Sequence, residues 1–432
     1  MLRLFKIFLL LLAAPLAGQD FLSLDEALKI ALEKNYDVVI ARNERQIAGL
    51  QNNIGNAGMS PTVSVGGTLS NSSLNSYQVF NNGQVQDRPG AVAYGTGVSV
   101  NADWMVFDGL RMFAVKKRLK LGEELSEIAL RSQMENTVYE VIAAYHNVAR
   151  VRSLIRAAEQ NLALYVERRK IAEVRLEIGS DSKVDLLLSK SDENRARSGI
   201  IQLQLELLDT KVRLNTLLGR SVETEFSAAD TITLSYEPSF EELKKAAASY
   251  NSSLLLAHKN ESIVEQGVAE ARALRLPQVT VGAAYIFTRN QSQAGFVAVN
   301  RQNGLNAGLT ARWNIFNGGR NHRLVQERNV FALNQKYVTE RTKLDVDAQV
   351  FISYQAFLLN RQIVDMELQN LADSRQVLQI SLERYKIGKT GLLETIETQK
   401  NLEDAQVRFI NALYNTKLAE ARLLRVNGSL VK

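Results

Sequence analysis

The stretch Trp104-Met-Val-Phe-Asp-Gly-Leu-Arg111 decides how this chain folds, and it recurs as Trp313-Asn-Ile-Phe-Asn-Gly-Gly-Arg320. In each copy an alternating apolar and polar run leads to a glycine, and a long pattern of helical spacing follows. The change from a period of two residues to one of about 3.6 predicts a strand-to-helix joint. Tryptophan at the end of such a strand is typical of a membrane–water boundary. The predicted joint residues are Trp104, Phe107, Gly109, Trp313, Phe316 and Gly318.

The rest of the chain repeats around these two joints. Pro61-Thr-Val-Ser-Val-Gly66 matches Pro277-Gln-Val-Thr-Val-Gly282, 216 residues later, whereas Trp313 follows Trp104 by 209 residues. The seven missing residues fall between the two strands, where a loop tolerates deletion. The sequence therefore predicts an internal tandem repeat of one large unit. Residues 19–219 form the first repeat, 220–237 a connecting segment, and 238–432 the second repeat, each repeat containing a helix, two strands, a long helix and a return helix.

Composition limits the classes of function that the chain can have. Its 432 residues include no cysteine, which excludes disulfides and thiolate metal sites, and its net charge of +6 is too small to indicate nucleic-acid binding. His146, His258 and His322 are scattered, and no metal-ligand or nucleophile motif occurs. Gly388-Lys-Thr390 resembles the end of a phosphate loop but lacks the earlier glycine and the preceding strand. We therefore expect no enzyme activity, no metal and no cofactor.

Residues 1–18 have the pattern of a secretory signal peptide. Arg3 and Lys6 precede the apolar run Ile7–Ala14, and the small residues Ala17 and Gly18 follow it. Nothing downstream approaches an apolar stretch of about 18 residues, so we predict no transmembrane helix in the mature chain. If this exported chain lies in a membrane, it must do so as a β-barrel.

The strand before the first joint has two contrasting faces. Val98 and Trp104 belong to an apolar face, whereas Ser99 and Asn101 belong to a face of small and polar residues. This is the pattern of a lipid-facing barrel strand, although a soluble sandwich shows it too. Between this strand and the one before it we predict a polar loop over about residues 71–90.

Three helices are predicted in each repeat. Leu110–Ile178 has coiled-coil spacing and would extend about 100 Å, and Ser182–Leu218 would return about half that distance. Ser23 and Ser239 have capping-box spacing and open the first helix of each repeat, the first of which we extend to about Asn56.

This order of elements, met twice with the same spacing, resembles the TolC-type outer-membrane efflux proteins, the outer membrane factors of tripartite export systems. The resemblance covers the whole mature chain. It implies an α+β membrane protein in which a homotrimer forms a 12-stranded β-barrel, with four strands per chain, continuous with a long α-helical coiled-coil barrel. It also implies an exit duct for efflux or type I secretion, located in the cell outer membrane with a large periplasmic part. The implied partners are a periplasmic adaptor, an inner-membrane pump and outer-membrane lipid.

The resemblance also assigns residues to an entrance at the periplasmic tips. Gly388-Lys-Thr-Gly-Leu-Leu-Glu394-Thr-Ile-Glu397 resembles the family stretch whose two aspartates line the tunnel entrance, with glutamate at both positions here. Thr390 stands where the family has arginine, so the gating contacts of this chain differ from the family pattern. On spacing alone, an ordinary solvated helix face is the better interpretation of these carboxylates, and only the resemblance favours an entrance. The predicted entrance residues are Asp185, Tyr385, Glu394 and Glu397.

The two glycine turns are the predicted contact with the adaptor. The alternative is that their glycines only cap helices and their leucines only belong to the core. The rival interpretation of the whole chain is a non-conducting periplasmic coiled-coil adaptor or structural rod. The predicted adaptor-contact residues are Arg175, Gly179, Leu186, Arg384, Gly388 and Leu393.

Overall fold

The computed structural model describes residues 21–228, 231–234, 236–294 and 296–431. The predicted signal peptide, residues 1–18, lies outside these described residues. The chain divides into two compact units. The strand unit comprises Arg42–Ala129 and Ser253–Lys343, and the helical unit comprises Met1–Ala41, Leu130–Ser252 and Leu344–Lys432.

The same order of helices and strands occurs twice along the chain. The first half contains β1 (Phe21–Leu22), α1 (Leu24–Lys34), α2 (Tyr36–Gln51), β2 (Thr62–Val79), β3 (Val85–Phe107), α3 (Arg111–Glu177) and α4 (Lys183–Leu217). The second half contains β4 (Ser227–Ala228), α5 (Phe240–Tyr250), α6 (Ser252–Ala273), β5 (Gln278–Ser292), β6 (Val299–Arg312), α7 (Arg320–Lys386) and α8 (Leu392–Val426). Both long helices have 67 residues and both return helices have 35, which confirms the predicted helices.

The helix predicted to run to Asn56 is interrupted at Asn35, so this prediction was wrong. The Asn35 side-chain oxygen accepts from two backbone N–H groups at the start of α2, at 3.0 and 3.3 Å. Its amide nitrogen donates to the carbonyl oxygen of Leu217, at the end of α4, at 2.9 Å. Asn251 makes the corresponding bond to Val426 at 2.8 Å. An asparagine that can cap a new helix and also bind a distant helix end favours a break over a continuous helix.

The polar loop predicted over residues 71–90 is also wrong, because most of it forms a long hairpin. β2 and β3 pair as far as Val79 and Val85, with one irregularity between Leu74 and Ser76. The connection contains Gly83 at a φ of +83°, a conformation that glycine adopts without strain. Ladder hydrogen bonds between backbones hold such a hairpin together even where its side chains are polar.

The capping box predicted at the start of α5 is wrong as well. Ser239 lies at the N-cap position, but its side chain accepts no capping hydrogen bond from any residue that the structure describes. Ser23 does cap α1, because its side chain accepts from the backbone N–H of Glu26 at 3.2 Å.

One antiparallel sheet, in the order β2-β3-β5-β6, confirms the two-faced strand pattern. Cross-strand partners lie side by side on the same face. A row on the apolar face contains Val65, Val100, Tyr285 and Leu305. The adjacent row, on the opposite face, contains Ser64, Asn101, Ala284 and Asn306. The four apolar side chains are between 44% and 73% exposed, so no part of the described chain covers them.

In each joint, the tryptophan side chain hydrogen-bonds to the backbone of the turn that precedes a strand. The indole nitrogen of Trp104 donates to the Met59 carbonyl at 2.8 Å, and that of Trp313 donates to the Arg275 carbonyl at 3.0 Å. The joints then differ in exposure. Phe107 is half-buried, whereas Phe316 is 82% exposed.

The glycines of the two joints differ in the same way. Both have a positive φ, +75° at Gly109 and +66° at Gly318. A Cβ atom at Gly109 would collide with the Ala273 carbonyl and lie 2.8 Å from the Cβ of Leu276. Around Gly318, no described atom lies within 4 Å of the same position. The first joint is therefore packed and the second is open.

The core of the helical unit is built twice from corresponding positions. One cluster packs α1 against α3 and the end of α4, and the other packs α5 against α7 and the end of α8. The first cluster includes Ala27, Ala31, Val141, Val148 and Leu214. The second includes Leu243, Ala247, Val350, Phe357 and Leu423. Among the described residues, no helix is both long enough and apolar enough to cross a membrane.

Candidate functional site

The candidate site lies at the turns that join α3 to α4 and α7 to α8. Gly179 and Gly388 have φ values of +75° and +73°, which lets each turn bond back to its own helix. Ser180 N–H donates to the Arg175 carbonyl at 2.7 Å, and Lys389 N–H donates to the Arg384 carbonyl at 2.9 Å. Glycine ends each long helix here because it adopts the left-handed conformation at little cost.

A partly buried ionic cluster, which we call the tip latch, contains Arg175, Asp181 and the fully buried Tyr385. Arg175 Nε donates to Asp181 Oδ1 at 2.8 Å, and the Tyr385 hydroxyl donates to Asp181 Oδ2 at 2.7 Å. Arg175 Nη1 also donates to the Tyr385 carbonyl at 2.9 Å. The Arg175 guanidinium lies 4.9 Å from the centre of the Tyr385 ring, within reach of a cation–π interaction. The latch therefore links the end of α7 to the turn after α3.

Burial and hydrogen bonding together set the charge states of the tip latch. Burial raises the pKa of Tyr385, and the hydrogen bond to the Asp181 carboxylate raises it further. Burial alone would raise the pKa of Asp181, but hydrogen bonds from Arg175 and Tyr385 outweigh it and lower that pKa. The hydrogen bond to Asp181 raises the pKa of Arg175. At neutral pH the latch thus contains a neutral phenol, a carboxylate and a guanidinium.

The close approach of the two turns also constrains Gly388. A Cβ atom at this position would lie 3.2 Å from Nη1 of Arg175, closer than most real Cβ contacts. Gly388 therefore has two reasons to be glycine: its positive φ and the guanidinium packed against it. At Gly179 only the positive φ applies, since the described chain leaves its Cβ position open.

Sequence reasoning found Arg175 and Tyr385 but missed Asp181, which joins them. Asp181 lies two residues after Gly179, in a turn rich in small polar residues where an acidic side chain attracts no notice. Its side chain is only 9% exposed in the structure. The sequence signal available was the spacing of Arg175 and Asp181, which are six residues apart on either side of Gly179. This spacing allows an ion pair across the end of the helix.

The predicted entrance carboxylates have different surroundings. Glu394 accepts hydrogen bonds from Arg384, at 3.3 Å, and from the hydroxyl of Thr390. Thr390 is thereby a local partner of Glu394. Glu397 is exposed. Since α8 begins at Leu392, Glu394 and Glu397 lie on adjacent turns of one helix face.

Asp185 and the predicted contact leucines lie at the starts of the return helices. Asp185 completes a capping box: its carboxylate accepts from Ser182 N–H at 3.1 Å, and Ser182 Oγ accepts from Asp185 N–H at 3.2 Å. Leu186 is half-buried, whereas Leu393 is 75% exposed. Asp185 thus has a structural task in the turn whatever else it does.

Further exposed apolar side chains surround these turns, and sequence reasoning did not single them out. Ile178 and Val184 flank the first turn at 70% and 62% exposure, and Ile387 precedes the second glycine at 65%. Clusters of exposed apolar residues on a soluble surface are typical of protein contacts.

Known proteins resemble this chain in sequence over most of its length. The sequence profile of the outer membrane efflux protein family matches residues 27–220 and 243–429. Outer membrane efflux protein BepC of Brucella suis biovar 1 (strain 1330) is 21% identical over 339 residues, which are 77% of this chain and 72% of BepC. Protein CyaE of Bordetella pertussis (strain Tohama I) is 23% identical over 338 residues, 77% of this chain and 70% of CyaE.

Solved structures share the fold at low sequence identity. The crystal structure of the Campylobacter jejuni CmeC outer membrane channel superposes with a TM-score of 0.79 at 15% identity, and the match covers 94% of this chain and 85% of CmeC. The family profile spans both repeats and includes the two glycine turns. This chain therefore belongs to the outer membrane efflux protein family, whose members are transporters of the outer membrane.

Proposed function

We propose that this protein is the exit duct of a tripartite efflux or type I secretion system. In this role a homotrimer passes substrates from an inner-membrane pump and a periplasmic adaptor to the exterior. Each chain would contribute β2, β3, β5 and β6 to a 12-stranded barrel in the outer membrane. The long helices and return helices would line a coiled-coil tunnel on the periplasmic side.

The observation that carries this proposal is the uncovered apolar face of the sheet. Another row on that face, four residues further along the strands, contains Trp104, Val281 and Leu309, which are 46%, 38% and 67% exposed. Water-exposed apolar faces of this extent are unfavourable, because burial of apolar area is worth about 25 cal/mol per Å². Lipid is the environment that removes this cost and leaves the opposite, polar face to line an aqueous channel.

The edges of the sheet support several copies of the chain in one barrel. Within the described residues, β2 and β6 each pair on one side only. Unpaired edges are not tolerated in hydrocarbon, so β6 of one copy must pair with β2 of the next. The same cyclic contact explains the open joint. Gly109 packs against the end of α6 of its own chain, so Gly318 would pack against the end of α2 of the neighbouring copy.

We place the domain boundaries where the sequence predicts them. The two repeats, 19–219 and 238–432, descend from one duplicated unit, with 220–237 as the connecting segment and 1–18 as a signal peptide removed on export. The matching cores of the helical unit support the duplication, since each pairs the same positions of a short helix, a long helix and a return helix.

The tunnel entrance and the adaptor contact are proposed at the two glycine turns. Glu394 and Glu397 would give a trimer six carboxylates at the mouth, a ring that favours cations. The tip latch would hold the two turns of each copy together while the entrance is shut. The exposed apolar side chains around Gly179 and Gly388, Leu393 among them, would receive the adaptor.

Charge placed on either face of the sheet tests this function. Val98→Asp puts a carboxylate on the apolar face, which costs free energy in lipid, and should abolish assembly into the outer membrane. Ser99→Asp, one residue along and on the polar face, should assemble normally and serves as the matched control. Heat-modifiable trimers in isolated outer membranes report assembly. If both variants assemble equally well, the apolar face does not meet lipid and the barrel is refuted.

A further inference from the structure

A groove in the helical unit has no assigned role. It lies between α4 and α8, with α3 as its floor, and encloses about 500 Å³. Sites for small molecules usually have volumes of about 300–1,000 Å³ and mostly apolar walls. The apolar and small residues that line this groove include Ala157, Ala158, Ala196, Gly199, Leu203 and Val407.

Two oxygen atoms in the groove wall are buried without a donor. Asn161 is 6% exposed, and its amide nitrogen donates to Gln406 Oε1 at 2.7 Å. Its oxygen Oδ1 accepts no hydrogen bond from any described residue, and neither does Oε1 of Glu403. The Tyr165 hydroxyl hydrogen-bonds to the Glu403 carboxylate, which still leaves Oε1 free. Buried acceptors without donors cost free energy, so a ligand that donates to them is favoured.

The other charged groups of the groove already have partners. Arg195 pairs with Asp192 at 2.9 Å, and Glu206 pairs with Arg150 at 2.6 Å. The nearby guanidinium of Arg168 hydrogen-bonds to Asp192 and to Gln399, the latter at 3.0 Å, whereas its Nε has no acceptor among the described residues. Among the described residues, Glu403 therefore contributes a carboxylate to the groove without an ion-pair partner.

We propose that this groove binds an organic cation with an apolar body, such as a protonated alkylamine. The ammonium group donates hydrogen bonds to Glu403 Oε1 and Asn161 Oδ1 and neutralises the carboxylate. The apolar body packs against Leu203 and Val407. Ala157 and Ala158, which line the groove from α3, are small and therefore leave space for this apolar body. A neutral or anionic ligand of the same shape lacks the positive charge that pairs with Glu403.

Binding of a matched pair of probes tests the proposal. The probes are a dansyl group on a five-carbon chain ending in a primary amine, and its N-acetylated, neutral counterpart. Both are titrated by fluorescence against the purified full chain in detergent. The amine should bind saturably, and at least about tenfold more tightly than the acetylated probe, because acetylation removes the positive charge that pairs with the Glu403 carboxylate. Equal binding of the two probes would mean an unselective apolar groove and would overturn the proposal.

Three variants locate the binding site. Glu403→Gln should weaken amine binding about tenfold or more and leave the acetylated probe unchanged, which also shows that the groove is intact. Glu140→Gln removes an exposed carboxylate from α3, outside the groove, and should change neither probe. Gly199→Leu fills the groove from α4, where the described chain leaves room for a side chain, and should exclude both probes. Amine binding that survives Glu403→Gln or Gly199→Leu at full strength would refute the site.

Discussion

Removal of one hydroxyl from the tip latch should loosen both glycine turns. Tyr385→Phe keeps the ring and deletes the O–H group that donates to Asp181 at 2.7 Å. The acceptor is a buried carboxylate, so its lost hydrogen bond is not replaced freely by water. Arg175 still holds Asp181, and the helices themselves are unchanged. We therefore expect local opening of the turns rather than unfolding of the chain.

The size of the effect follows from the charge and burial of the partners. A hydrogen bond to a charged group contributes about 1.5–3 kcal/mol. Asp181 is 9% exposed and Tyr385 is fully buried, so solvent screening does not reduce this value much. Since about 1.4 kcal/mol is a factor of ten, the opening equilibrium should rise roughly 10- to 100-fold.

Hydrogen–deuterium exchange of the two turns, resolved by mass spectrometry, measures this opening. A double-mutant cycle with Asp181→Asn isolates the interaction. Tyr385→Phe should accelerate exchange around Gly179 and Gly388 in the wild-type background, and should add little once Asp181 is neutral. The matched control is Tyr337→Phe, which removes a hydroxyl from a tyrosine that is 65% exposed.

Two outcomes would refute this reasoning. Unchanged exchange at both turns in Tyr385→Phe would mean that the hydroxyl contributes nothing to holding them. Equal acceleration in the wild-type and Asp181→Asn backgrounds would mean that the phenol acts through other partners.

Three further changes should destabilise the chain, each measured as a free energy of unfolding in denaturant. Gly109→Ala should cost roughly 3 kcal/mol, from its positive φ and from overpacking against α6. Arg168→Ala should cost about 3 kcal/mol, because it leaves the buried Asp192 with only a surface partner. Burial, with a lesser effect of Lys417, lowers the pKa of His146 to about 4. The unfolded chain binds this proton below about pH 6.5, whereas the folded chain binds it only below about pH 4. The free energy of unfolding should therefore decrease by about 3 kcal/mol as the pH is lowered from about 6.5 to about 4. His146→Gln should remove this fall.

Each of these predictions has a control within the chain. Gly122→Ala, within α3 and with open space around it, should stabilise the protein by up to about 1 kcal/mol. Arg195→Ala removes a guanidinium that is 76% exposed and should cost less than about 1 kcal/mol. His258→Gln removes an imidazole from an exposed position and is the control for His146→Gln. A variant that behaves like its control would contradict the cause assigned to it.

The order of helices and strands could be predicted because it follows from the spacing of apolar residues along the sequence. The joints at Trp104 and Trp313, the two long helices and the glycine turns all depend on local spacing, and the structure contains each of them. The two faces of the sheet were also predictable, since alternation along Val98, Ser99 and Val100 is a local signal.

Features that depend on distant contacts could not be predicted. The break at Asn35 depends on a bond to the end of α4, which is 182 residues away. The tip latch depends on Asp181 and Tyr385, which are 204 residues apart. The long hairpin is held by a backbone ladder, to which the polar side chains of residues 71–90 give no clue.

Single-channel recording in a planar bilayer tests the central claim most directly. The purified protein should insert and give stepwise, cation-selective conductance, and Glu394→Ala/Glu397→Ala should reduce that selectivity by removing the carboxylates proposed at the mouth. Steps whose selectivity is indifferent to the double variant would contradict the entrance at the second glycine turn. A protein that never inserts or conducts would contradict the exit duct itself.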